Sequence, residues 1–237
     1  MMASATQKST PVAPPVVLEQ RNELGEVTSR TECVDGAPHG LMTGFGPGGR
    51  PVMQATYQRG VMHGVAKMWD DAGNLVQEAG YRDGKQSGVT RLFAGGRLLS
   101  EQMFAAGVLH GETVFYSEAG VPTCKLQFAG GQIEGEAIFM NEGAVVRRAV
   151  YRKGLLEGEA IDYDRDGAKV QSASYKANLL DGWLRRYWPN GQVMEETRYR
   201  QGKPQDKPRR FNNKGAQQAG EADQASLMQR LEKLVRG

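Results

Sequence analysis

The sequence has little of what most enzyme and membrane readings require. Cysteine occurs twice in 237 residues. Cys33 and Cys124 have no framework spacing, which excludes a disulfide scaffold and leaves two free thiols of a reducing compartment. Tryptophan and histidine occur three times each. No run approaches the ~20 apolar residues of a membrane span, and the polar, proline-bearing stretch from Met1 to Pro15 lacks the apolar core of a signal peptide. A formal charge of +3 is too small to imply a nucleic-acid or membrane surface. A cytoplasmic chain is the default expectation.

Catalytic constellations are also missing. Neither cysteine has a histidine within its own strand pair, and no serine stands in a nucleophile-elbow context. No glycine run opens a helix as a phosphate loop does. His39, His63 and His110 each precede a glycine of the same kind, in a slot that elsewhere holds Ser87, Glu134, Glu157, Asp181 and Gln205. Successive occurrences fall two strands apart, about 10 Å, whereas ligands of one metal ion lie ~2 Å from it. The slot reads as a polar turn position. No enzyme, metal, cofactor or small-molecule substrate is expected.

What the chain has in excess is glycine, 31 residues placed with a period of 23 or 24. An aromatic opens each unit: Tyr57, Tyr81, Phe104, Phe128, Tyr151, Tyr175 and Tyr199, with Cys33 in the first. A first glycine follows three residues later, as at Gly60 and Gly84, with Asn178 as the substitute. A second lies four further on, as at Gly64 and Gly182, replaced by Asp206 in the last unit. A second aromatic follows, as at Phe45, Trp69, Tyr116, Tyr163 and Tyr187, with Met140 as the exception, and a third glycine closes the unit. About eight units, preceded by a half-unit at Gly25, hold this register; fixed-period self-similarity of this kind defines a repeat array.

The segments between glycines are about six residues long, too short for helices and bounded by turn residues. The third glycine, as in Asp71-Ala72-Gly73-Asn74, is read as the tight hairpin turn, and the span from Gly60 to Gly64 as a wider reversal. The expectation is an all-β fold: a single extended, twisted antiparallel meander of roughly seventeen strands over residues 16–215. Residues 1–15 are expected to be disordered. Over 216–237, Leu227, Leu231 and Leu234 with Met228 and Val235 recur at helical spacing, predicting a short amphipathic helix that caps the open sheet. The repeated aromatics are expected to stack between hairpins and cover the glycines, at about 0.2–1 kcal/mol per cross-strand pair.

The candidate binding surface is acidic. Glu112, Glu136 and Glu159 each follow a second glycine in three consecutive units, so they line one face. Val114, Ile138 and Ile161 continue it, followed by Tyr116, Met140 and Tyr163, with Tyr187 in the next unit. Residues 111–182 carry 11 acids and 8 bases, whereas 183–214 carry 9 bases and 3 acids. A solvated strand face is the plain reading of these carboxylates. The functional one is an aromatic-edged surface complementary to a basic protein, with charge steering the encounter. The stretch Arg198 to Lys214 lacks interleaved exposed aromatics, so nucleic acid is not the expected ligand; it reads as solubilising or as a second partner contact.

The Tyr-x-x-Gly-x-x-x-Gly unit closing with Asn-Gly resembles MORN repeats. The variant is most similar to the bacterial repeat family of YwqK-type antitoxins. Asp181-Gly182, Tyr187-Trp188-Pro189-Asn190-Gly191-Gln192-Val193, Glu196 and Tyr199-Arg200-Gln201-Gly202-Lys203 carry the likeness. Phe93 and Met140 sit in shortened units, and the first and last units depart from the pattern as end caps would. The resemblance implies an antitoxin or immunity protein that binds a cognate toxin, such as a basic nuclease, and occludes its active surface. The other reading is a MORN-like scaffold that tethers a protein or a lipid headgroup.

Overall fold

The computed structural model describes residues 14–218. The expected disorder over residues 1–13 and the expected helix beyond residue 218 lie outside the described residues. The rest is all-β. Residues to Val108 and residues from Leu109 form two compact units, each an antiparallel meander. The first unit contains β1 (Val16–Arg21), β2 (Val27–Val34), β3 (Ala37–Phe45), β4 (Pro51–Gln58), β5 (Val61–Trp69), β6 (Leu75–Arg82), β7 (Lys85–Ala94) and β8 (Arg97–Ala105). The second contains β9 (Val108–Tyr116), β10 (Pro122–Ala129), β11 (Gln132–Asn141), β12 (Ala144–Arg152), β13 (Leu155–Tyr163), β14 (Lys169–Lys176), β15 (Leu179–Tyr187) and β16 (Val193–Arg200). Two short strands, β17 (Lys203–Pro204) and β18 (Arg209–Arg210), follow and pair with β16.

The two turn types are the reverse of those read from the sequence. The tight turn is at the first glycine: Gln58 pairs with Val61, leaving only Arg59 and Gly60 in the loop. Their φ values of 51° and 79° give the two consecutive left-handed residues of a type I′ turn, whose twist matches that of the strands it joins. The third glycine closes a three-residue loop instead. There the Asp70 amide donates to Asn74 O at 3.0 Å, the Gly73 amide donates to Asp70 O at 2.9 Å, and the Asp70 carboxylate accepts from the Asn74 amide at 2.8 Å. In the shortened units the loop loses a residue, as at Gly95-Gly96 between paired Ala94 and Arg97, and this accounts for the change of period from 24 to 23.

The span from first to second glycine is not a reversal. Strand β5 runs through Gly64, so the long strands are eight to ten residues, not about six. Gly64 lies in a bulge, where the pairing of β4 and β5 shifts register between Ala55 and Tyr57. On the other side Gly64 stands directly opposite Tyr81, the opening aromatic of the next unit. The same pairing joins Gly40 to Tyr57, Gly135 to Tyr151, Gly158 to Tyr175 and Gly182 to Tyr199.

The buried material is small. Ala55, Ala66, Ala79 and Thr90 form one cross-strand row in the first unit, and Ala137, Ala149, Ala160 and Ala173 another in the second. Ala55 and Ala137 are fully buried, and the largest fully buried side chains anywhere in the described residues are Thr90 and Thr113. The opening aromatics lie two residues from these alanines, on the same face, and remain only partly buried. The opposite face is charged. In the first unit Lys67, Glu78, Arg91 and Glu101 pair in one row, with ion pairs of 3.1, 3.1 and 2.8 Å along it.

Two tests follow from this packing. A Cβ on Gly182, whose φ is +122°, would lie 2.7 Å from the Ser174 Cβ. Gly182→Ala is expected to lower the melting temperature by on the order of 5 °C, with partial rescue by Ser174→Gly; an unchanged transition would remove the bulge from this account. The hydrogen bond from Lys67, and then that from Arg91, hold the Glu78 carboxyl below its ordinary 4.5. A depressed folded value stabilises above about pH 4.5 and is lost as pH falls through the lowered value. Glu78→Gln should therefore narrow the difference in melting temperature between pH 7 and pH 3, measured by thermal melts.

Candidate functional site

The predicted surface lies on the charged face of the second unit. Glu112, Glu136 and Glu159 occupy equivalent positions in β9, β11 and β13, opposite Gln127, Val150 and Ser174, and all three are exposed. Val114 is buried, while Ile138 and Ile161 are half-buried. The intervening strands interleave cations among them. Lys125 pairs with both Val114 and Ile138, and Arg148 with both Ile138 and Ile161. Arg148 also donates to the Glu136 carboxylate at 2.9 Å. The face is therefore mixed in charge. Sequence reasoning followed one strand per unit and passed over its neighbour. Glu112 and Glu159 have no ion-pair partner among the described residues.

The three carboxylates of the polar turn slot, Glu134, Glu157 and Asp181, have a defined task. Glu134 accepts from the Lys153 amide at 2.7 Å, Glu157 from the Ala177 amide at 2.9 Å and Asp181 from the Gln201 amide at 3.1 Å. Each caps the tight turn of the following repeat. His39 does the same more weakly, its Nδ1 accepting from the Arg59 amide at 3.4 Å. This explains the polar slot before the second glycine in physical terms, since the left-handed turn leaves an amide pointing along the edge that needs an acceptor.

The aromatics divide by face. Tyr187 reaches Ser172 on the charged face with a 2.9 Å hydrogen bond between their hydroxyls, and the Lys169 ammonium lies 5.1 Å from its ring centroid. Tyr163 flanks Arg148 in a shallow cavity of about 490 Å³ that also takes in Ala144 and Arg165. Tyr116 pairs with Pro122 at the edge of the same unit. The first unit has a comparable cavity of about 440 Å³, where the Arg30 guanidinium lies 5.6 Å from the Phe45 ring beside the loop at Gly46 and Pro47.

The sequence reading missed Trp183. It fills the slot after the second glycine that holds Glu112, Glu136 and Glu159 in the preceding units. Three guanidiniums converge on its ring, from Arg209 at 5.0 Å, Arg185 at 5.2 Å and Arg198 at 5.9 Å. Glu196 alone offsets them, pairing with Arg209 at 2.8 Å and Arg185 at 3.0 Å. Arg198 is exposed and has no acidic partner among the described residues. The basic stretch from Arg198 is therefore interleaved with an aromatic after all, one supplied by the neighbouring strand. Trp183 lies directly opposite Arg198.

The cysteines offer little chemistry. Cys33 is buried, and burial pushes the Cys124 thiol up from its ordinary value, which disfavours the thiolate that nucleophilic chemistry needs. Among the described residues no three histidine, cysteine, aspartate or glutamate side chains group as a metal site, and no helix is long and apolar enough to cross a membrane.

Comparison with known proteins adds the repeat type. The MORN repeat variant model matches residues 62–83 and 180–201. No curated protein matches the chain. Among solved structures, a mutant of S. aureus TarM bound to fondaparinux, α-GlcNAc-glycerol and UDP is 10% identical, with a TM-score of 0.31 over 40% of this chain and 19% of that one. A porin-like protein from Bacteroides uniformis is 9% identical, with a TM-score of 0.20 over 75% of this chain and 85% of that one. Similarities this low inform neither fold nor function. The two matched segments occupy equivalent phases of the array, each spanning a three-residue loop and its flanking strands, so MORN-variant repeats are matched at these two places.

Proposed function

We propose that this chain is a non-catalytic binding scaffold, and that its client is a cognate toxin or effector protein whose active surface it occludes. The observation that carries this reading is the pair of exposed carboxylates, Glu112 and Glu159, free of ion partners on the charged face of the second unit. Ile138, Ile161 and Tyr163 lie among them. Apolar side chains bordered by uncompensated charge suit a protein interface, where the charge governs encounter and the apolar centre slows release. A sheet preformed by its own repeats also limits the ordering cost of binding. A client with a basic surface, as a nuclease has, fits these carboxylates best.

The test is co-expression with the product of the adjacent gene, followed by affinity capture. A toxic neighbour whose growth defect is relieved, and which co-purifies, supports the proposal; a harmless neighbour that does not bind removes the antitoxin reading. In such a complex Glu112→Lys with Glu159→Lys should weaken affinity by about an order of magnitude, chiefly through the association rate. Glu136→Lys alone should matter less, because Arg148 already holds that carboxylate. Equal affinity of the double variant by calorimetry would discard this face.

The arginines around Trp183 favour a second reading, a scaffold that tethers an anionic lipid headgroup. Guanidiniums stacked on an indole are held in place with their donors still available for phosphate. On this reading, Arg198→Ala with Arg209→Ala should reduce co-sedimentation with phosphatidylserine vesicles about tenfold. Failure of the unaltered protein to sediment with them would end it.

A further inference from the structure

Strand β1 presents an unfinished sheet edge. It pairs with β2 along one side, and no other strand pairs with it among the described residues. All six of its residues are exposed, with Val16, Val17 and Leu18 at 59%, 56% and 52%. Such an edge is a row of unpaired amides and carbonyls beside apolar side chains, a template for another strand. The outermost strands of the second unit are protected by contrast. Strands β17 and β18 are two residues each, Pro204 and Pro208 interrupt the pairing, and the chain returns over β18 with the Gln218 amide donating to Arg210 O at 2.8 Å. One edge carries the devices that prevent strand addition, and β1 carries none of them.

Pro14 and Pro15 immediately precede β1. Proline fixes φ near −65°, so this pair cannot form the left-handed two-residue turn by which strands elsewhere in the array fold onto their neighbours.

We infer that β1 pairs with β1 of a second copy of this chain, in antiparallel orientation across a two-fold axis. The geometry fixes the register. A two-fold axis that continues each sheet face into the other requires opposed residues to share a face, so the numbers of paired residues must sum to an even value. Centring on Glu19 would set its carboxylate against its own mate, which like-charge repulsion disfavours. Centring on Val17 sets Val17 against Val17, Val16 against Leu18 and Pro15 against Glu19. The exposed apolar residues then cover one another, and no like charges meet.

The experiment is analytical ultracentrifugation of the full chain over a hundredfold range of concentration, with cysteine cross-linking as the register test. The expected result is a mass rising toward twice 25.9 kDa, abolished by Leu18→Lys in a variant whose circular dichroism is unchanged. Val17→Cys should form an intermolecular disulfide under mild oxidation, identified by mass spectrometry, since directly opposed residues on antiparallel strands lie within disulfide reach. Glu19→Cys should cross-link poorly. A single species of 25.9 kDa at every concentration, or a dimer that survives Leu18→Lys, would overturn the inference.

Discussion

The structure depends on the two-residue turn at the first glycine of each repeat. Two successive left-handed residues, Arg59 and Gly60 or Lys153 and Gly154, bind one strand to the next in a single register. A slip of one residue would turn every side chain to the wrong face. The turn also links repeats. The Gly60 amide donates to Pro38 O at 2.7 Å and the Gly84 amide to Met62 O at 2.9 Å, each reaching into the preceding unit. Where glycine is absent, Asn178 keeps the left-handed conformation with φ at 69° and accepts from the Leu156 amide at 2.6 Å through its side chain. Asparagine is the residue that tolerates that region best after glycine, so the exception follows the same rule.

Register, once fixed, separates two chemistries. Alanines and threonines meet on one face, which the opening aromatics share, each paired across the strands with a second glycine of the preceding unit. Charged residues meet on the other, with ladders such as Lys67–Glu78–Arg91–Glu101 that neutralise themselves. Such exposed pairs contribute little stability individually. Their larger effect is on specificity, since where the ladder is incomplete, charge is left over for a partner. Among the described residues the incomplete places include Glu112 and Glu159 on the acidic side, and Arg198 beside Trp183 on the basic side.

Much of this was legible in the sequence because a 23- or 24-residue period places equivalent residues in equivalent strands. The all-β meander and the shared face of the three glutamates follow from counting alone. Turn assignment did not, because both glycine sites offer a reversal on composition. Only the register shows that the chain turns at Arg59-Gly60 and runs straight through Gly64. Cross-strand partners were equally hidden. Arg148 beside Glu136, and Arg198 opposite Trp183, lie 12 and 15 residues away in sequence and become neighbours only once the hairpins are paired.

The central claim is that the charged face of the second unit, and not the turns or the alanine face, receives a protein client. Amide hydrogen exchange on the chain with and without its captured client tests it most directly. The account predicts slowed exchange in β9, β11 and β13, over the segments holding Glu112, Ile138 and Glu159. Protection confined to the glycine turns, or no change in these three strands despite stable binding, would contradict it.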